Sequence, residues 1–80
     1  MNTKIKFLEI VLSDLVSQRD TLELELNRIL NKEENISIKK NEFDGALTQI
    51  TIANHKIQML SDYLTTLSSL EDKTENNNND

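Results

Sequence analysis

The chain lacks the residues that most often interrupt helices or cross-link them. It has no proline, cysteine or tryptophan, and only one glycine among its 80 residues. Because proline and glycine are the strongest helix breakers, this composition predicts an all-α protein. The lack of cysteine excludes disulfides and thiolate metal sites. Only 4% of the residues are aromatic. In a chain of 80 residues the free energy gained by burying one core barely exceeds the cost in chain entropy, so we expect further burial against other chains.

Charge and hydropathy narrow the class of partner. Nine basic and fourteen acidic residues give a net charge of -5, which argues against nucleic acid, because phosphate binding needs clustered Lys and Arg. Glu9, Ser13 and Asp14 interrupt the apolar residues near the N-terminus, so we expect neither a signal peptide nor a membrane span. We therefore expect a cytoplasmic protein. The abundance of Asn, Lys and Ile suggests an AT-rich genome, such as that of a bacteriophage or a low-GC bacterium.

Apolar residues recur at a spacing of seven along most of the sequence, which is typical of a coiled coil. The first row consists of Met1, Leu8, Leu15, Leu22, Ile29, Ile36, Phe43, Ile50, Ile57 and Leu64. In the first half of the chain a second row lies four residues further on, at Ile5, Leu12, Arg19 and Leu26. In the second half the second row lies three residues further on, at Ala46, Ala53, Leu60 and Leu67. The apolar stripe therefore changes sides between the two halves.

The apolar stripe changes sides between residues 30 and 43, which favours two helices over one continuous helix. The sequence predicts a two-helix antiparallel hairpin with coiled-coil heptads, with helix 1 at about 4–31 and helix 2 at about 42–70. Several hairpins would assemble into a helical bundle. Asn41 followed by Asp44 resembles a capping box for helix 2. Two alternatives remain: one long continuous coiled-coil helix, because Ile36 keeps the sevenfold register, or a small β-hairpin between two helices, somewhat as in prefoldin subunits.

The domain organisation is simple. We assign residues 1–71 to one helical coiled-coil domain. Residues 72–80 contain no apolar side chain and include four consecutive asparagines. This composition predicts a disordered polar tail.

Phe43-Asp44-Gly45 resembles the W-x-G turn of the WXG100 secreted proteins, which are helical hairpins of about this size, with Phe in place of Trp. The resemblance implies that these residues form the turn of the hairpin. The sequence departs from the family pattern at its C-terminal export signal, Y-x-x-x-D/E, because Tyr63 is followed four residues later by Leu67.

No catalytic constellation is visible, so we predict a protein that is not an enzyme and uses no cofactor or metal. His55 is the only histidine, which excludes a two-histidine metal site within one chain. Arg19 interrupts an apolar row. It either pairs with Asp20, Glu23 or an acid of another chain and fixes the register, or it lays its stem along the row with its head in water.

We predict a non-enzymatic coiled-coil interaction protein, acting as a small assembly factor, chaperone or adaptor that presents apolar helix surface to partner chains. We expect a homo-oligomer, a protein partner or both. The candidate interface residues are Ile5, Phe7, Leu8, Ile10, Val11, Leu12, Leu15, Val16, Arg19, Leu22, Leu26, Ile29, Phe43, Ala46, Ile50, Ala53, Ile57, Leu60, Leu64 and Leu67. The alternative is a small acidic inhibitor that blocks a host or defence enzyme.

Overall fold

A computed structural model describes residues 3–79, with side chains from residue 3 to residue 70. Helix α1 spans Thr3–Leu30 and helix α2 spans Ile36–Asn79. The two helices pack against each other along the length of α1 and run antiparallel, so the predicted all-α helical hairpin is confirmed. The alternative of one continuous helix is wrong. So is the intervening β-hairpin, because residues 3–79 contain no strand.

The bend is shorter than predicted and lies earlier in the chain. Only residues 31–35 separate the helices, whereas we expected a connection over 32–40. The Asn35 side chain caps α2, because its Oδ1 accepts a hydrogen bond from the backbone N–H of Ser37 at 2.8 Å. Its carbonyl accepts the first helical bond, from the N–H of Lys39 at 2.9 Å. The predicted cap at Asn41 is wrong, since Asn41 lies inside α2.

Lys39 fastens the start of α2 to the end of α1. Its Nζ donates hydrogen bonds to the carbonyl oxygens of Leu30, at 2.8 Å, and Lys32, at 3.0 Å. The last carbonyls of a helix have no partner within the helix, and a lysine at this end both satisfies them and complements the helix dipole. One side chain of α2 thus supplies the C-terminal cap of α1.

The predicted end of helix 2 near residue 70 is also too early. Helix α2 continues to Asn79 and has 44 residues, against 28 in α1. No proline or glycine follows Gly45, so no strong breaker interrupts the backbone. The long helix accounts for the 68 Å length of the molecule. Whether residues 72–80 form a disordered polar tail stays a prediction, because the side chains beyond Leu70 lie outside the described residues.

Phe43 and Gly45 both lie inside α2, beyond the bend, so the turn implied by the WXG100 resemblance is absent. Gly45 has no positive φ, and a Cβ placed on it would meet nothing within 4 Å. Glycine at such a position only weakens the helix, because it leaves more freedom in the unfolded chain.

Gly45→Ala should therefore stabilise the protein by about 0.5–1 kcal/mol. For a domain of this size we expect the melting temperature to rise by roughly 2–8 °C, measured by circular dichroism at 222 nm. A turn at this residue would give the opposite sign, so a lower melting temperature would place the bend at Gly45 after all.

Asn35→Ala should cost about 1 kcal/mol, because the N–H of Ser37 loses its acceptor at the start of α2. Urea unfolding followed by circular dichroism would measure the loss as a lower midpoint. Asn41→Ala is the matched control, since alanine is the better helix former at an exposed interior position. If Asn41→Ala proved the more damaging of the two, the cap would be at Asn41.

The interface between the helices is formed by the predicted rows. On α2, Ala46, Ile50 and Ala53 are buried, and on α1 Ile29 is buried with 3% of its surface exposed. The remaining described members of the rows are half-buried, apart from Ile36, which is 82% exposed. Arg19 is half-buried, and its Nη2 lies 3.2 Å from Asp20 Oδ1, so its partner belongs to its own helix.

Charged side chains gather on the surface near the bend. Arg28 pairs with Glu25, and Lys32 Nζ lies 3.3 Å from Glu42 Oε2. The hydrogen bond from Arg28 lowers the pKa of Glu25. Glu34 and Glu42 share a hydrogen bond, which raises the pKa of Glu34 and lowers that of Glu42, helped by Lys32. These groups lie on the surface, either exposed or half-buried, so their ion pairs add little to stability.

Candidate functional site

An apolar groove runs along one side of the hairpin, between α1 and α2. Four adjoining hollows form it, and neighbouring hollows share lining residues. It extends along α1 from Thr3 to Thr21, which is about 27 Å at the helical rise. A groove of this length and shape, with helices on both sides, suits the apolar face of another helix.

The groove is widest and most apolar at the end away from the bend, which we call the open end. There Phe7 and Leu8 of α1 face Tyr63 and Leu67 of α2 around a hollow of about 540 Å³. The next hollow, of about 480 Å³, lies between Val11 and Met59. Phe7, Met59 and Tyr63 are 64%, 61% and 56% exposed. Side chains this large and this exposed lose much of the stabilisation that burial would give them.

The groove becomes polar towards the bend. Gln18 and Gln49 line the third hollow, which is only about 180 Å³. Asp14 and Lys56 stand along the middle of the groove, on α1 and α2 respectively. Residues with this arrangement would give an incoming chain both an apolar anchor at one end and polar contacts that fix its position.

The opposite side of the hairpin carries both polar and apolar residues. The heptad positions there hold exposed residues such as Glu9 and Glu23 on α1, and Lys40, Asn54 and Gln58 on α2. Because side chains three or four residues apart share a helix face, these residues form one side. Of the eleven large apolar side chains that are exposed in the described part of the chain, four line the groove, and the other seven, such as Leu30 and Leu47, lie elsewhere.

The structure divides the predicted interface residues into two groups. The row members pack α1 against α2 within one chain, and several of them, including Leu8, Leu15 and Leu60, also form the floor of the groove. Phe7 and Val11 line its wall. Ile10 is 62% exposed and belongs to no described part of the groove, and Val16 lies on the other flank of the row. Contact with another chain stays a prediction for all of them.

Sequence reasoning missed the α2 wall of the groove. Ile52, Met59 and Tyr63 line it, and none of them was predicted as an interface residue. The signal was present, because Ile52 and Met59 are seven residues apart and Tyr63 follows four residues later. This spacing marks one face of a helix, immediately beside the packed rows.

Neither a metal-ligand cluster nor a buried polar side chain is found among the described residues. Among them no three His, Asp or Glu side chains are grouped so that they could hold a metal ion. The described side chains also include no buried polar or charged residue. Neither helix has, in the part searched, a stretch long and apolar enough to cross a membrane.

No protein-family model, curated protein or solved structure matches this chain. The groove and the residues that form it therefore carry the functional argument.

Proposed function

We propose that this protein is a non-enzymatic helical interaction protein, acting as a small assembly factor, chaperone or adaptor. Its groove would receive the apolar face of a helix from another chain. The exposed apolar open end, with Phe7, Met59 and Tyr63, is the observation that carries the proposal. A cytoplasmic location, in the host if a phage encodes the protein, belongs to the same proposal.

Apolar anchors would supply most of the binding free energy. Truncating residues at the centre of an interface typically costs more than truncating those at its rim, and aromatic residues are prominent among the costly ones. Phe7 and Tyr63 stand at the open end of the groove with Met59 beside them. The flexible Met59 side chain can adapt to differently shaped partners.

The charges favour this function over the alternative of an acidic inhibitor. Asp20, Glu25 and Glu42 each pair with a nearby cation of the same chain. An inhibitor that mimics nucleic acid needs unpaired acids concentrated on one face. The pairing of these carboxylates supports the apolar groove as the recognition surface.

Replacing Met59 with glutamate tests the proposal, because a charge in the groove opposes burial by a helix while the hairpin keeps its packed rows. Ile36→Glu is the matched control, since Ile36 is 82% exposed and lies outside the groove. We would measure self-association by light scattering after size exclusion. Binding of a fluorescent 18-residue amphipathic helix of Leu, Glu and Lys would be measured by anisotropy.

We expect the parent and Ile36→Glu to associate through one of these routes, and Met59→Glu to lose at least about tenfold in affinity, which corresponds to roughly 1.4 kcal/mol. Circular dichroism would verify that the variant is still helical. Equal association of all three proteins, or none by the parent, would refute the groove as the functional surface.

A further inference from the structure

Two rows of residues at a spacing of seven, which we call the edge rows, form the edges of the groove and continue beyond it to the bend. On α1 the edge row contains Phe7, Asp14, Thr21 and Arg28, and on α2 it contains Glu42, Gln49, Lys56 and Tyr63. The hollows show which members lie at the same height along the hairpin. Phe7 lines one hollow with Tyr63, and Thr21 lines another with Gln49.

Antiparallel packing continues this matching along the edge rows. Between the two observed levels, seven residues from each, Asp14 stands at the height of Lys56. Near the bend, Arg28 stands at the height of Glu42, and its charge contributes to the lowered pKa of Glu42. Each level therefore joins two residues that suit each other: aromatic with aromatic, acid with base, polar with polar, and base with acid.

We propose that a second copy of this chain fills the groove, with the twofold axis parallel to the helices. The two bends then lie at the same end, and α1 of each copy packs on α2 of the other in a four-helix bundle. This inference rests on the proposed function, because it names the chain that the groove receives.

The edge rows support this symmetry because a rotation about an axis parallel to the helices leaves every residue at its own height. Phe7 of one copy meets Tyr63 of the other, and Asp14 meets Lys56. A twofold axis perpendicular to the helices would instead reverse the heights. It would cover the aromatic open end of one copy with the polar end of the other, at Thr21 and Gln49.

The accessible surface fits a missing partner of this size. The chain exposes 6365 Å², whereas a compact monomer of 9.2 kDa exposes about 4,900 Å². Part of the excess belongs to the end of α2, which extends beyond α1. A standard interface buries about 800 Å² on each partner, which is well within the difference of about 1,400 Å².

The chain has no cysteine, so a single labelling site can be introduced at Glu33→Cys in the bend. Light scattering would give the mass, and electron–electron resonance between nitroxide labels would give the distance between the two bends. We expect a dimer of twice 9.2 kDa. The bends should be on the order of 20 Å apart in the proposed bundle, given helix spacings of about 10 Å. The perpendicular axis would separate them by about 60 Å at the helical rise.

Charge exchange provides a second readout. In the Asp14→Lys variant the new lysine stands at the level of Lys56, so two copies repel each other there. In the Lys56→Asp variant the new aspartate stands at the level of Asp14, so two copies of that variant also repel each other. Mixed, they should form heterodimers at least about threefold in excess of the statistical ratio at low salt, measured by native mass spectrometry, and the excess should shrink as salt screens the charges. Asp62→Lys mixed with Lys40→Asp is the control with the same net charges at exposed positions off the groove.

The outcomes separate this inference from the proposed function. A dimer with a short distance and a heterodimer excess above that of the control supports the parallel bundle. A dimer with the long distance overturns it, as does a heterodimer ratio equal to that of the control. A monomer that binds the amphipathic helix in its groove overturns the second copy and retains the proposed function. A monomer that binds nothing overturns both.

Discussion

Ile50→Asp should unfold most of the protein at neutral pH. Ile50 is among the few buried residues of the interface between the helices. A carboxylate in its place would have no described buried partner, and such a group costs on the order of 4 kcal/mol or more. A domain of 80 residues is stable by roughly 4–12 kcal/mol, and the small number of buried side chains among those described places this hairpin at the low end of that range. Once separated, the helices gain little stability of their own.

The loss should be relieved by acid, which distinguishes an unpaired charge from a steric defect. Burial would raise the pKa of the new aspartate in the folded state above its unfolded value of about 3.9. The part of the destabilisation that comes from the charge is therefore absent below that pH and grows as the pH rises towards the folded pKa, whereas the part that comes from the lost isoleucine does not change with pH. Circular dichroism at 222 nm between pH 3 and 7 would measure the recovery of helix.

Thr51→Asp is the matched control for this experiment, because Thr51 is the next residue along α2 and is exposed. It should remain as helical as the parent at pH 7, apart from the small loss of the Thr51 hydroxyl bond to the carbonyl of Leu47. Comparable helix content in the two aspartate variants would contradict the packing of the rows described here.

Ala46→Leu should destabilise the hairpin by about 1–3 kcal/mol, although it makes the chain more hydrophobic. Ala46 is buried on the side of α2 that faces α1, where a small side chain lets the helices approach closely. The larger side chain must push the helices apart or adopt a strained rotamer. Urea unfolding would measure the change as a lower midpoint with a similar slope.

Thr51→Leu adds a leucine at an exposed position of the same helix and should change the free energy of unfolding by less than about 0.5 kcal/mol. If Ala46→Leu instead stabilised the protein, the interface between the helices near the bend would be loose enough to accommodate the larger side chain. The close approach of the helices at Ala46 and Ala53 would then be an incorrect description.

The regular part of the fold was predictable because it depends on periodicity. The rows at a spacing of seven identified the faces on which α1 and α2 pack, and the change of side identified two helices. The bend was harder, because residues 31–46 contain several asparagines and each of them can cap a helix. Asn35 and Asn41 differ in sequence context only slightly. The hydrogen bond from Lys39 to the carbonyl of Leu30 forms only when the two helices are packed together, so the sequence pattern does not predict it.

The candidate site was only partly predictable for a related reason. A row pattern shows which residues face the other helix, and it says nothing about which flank stays uncovered. Phe7 and Val11 were predicted because helix 1 has more apolar residues than one seam can cover. Met59 and Tyr63 were missed because the apolar residues outside the rows are spread over the longer helix α2, and their place beside Phe7 and Val11 becomes evident only once the two helices are packed.

The four buried residues among the described side chains all lie in the half of the hairpin next to the bend. The hydrogen bond from Lys39 to the carbonyl of Leu30 joins residues only nine apart in sequence, so contacts at the bend cost the least chain entropy and have the lowest contact order. Folding can therefore begin at the bend, and the two helices then pair progressively towards Phe7 and Tyr63. The open end is then the last part to close and the first to separate, so it can adjust to a partner without disturbing the nucleus that holds the hairpin together.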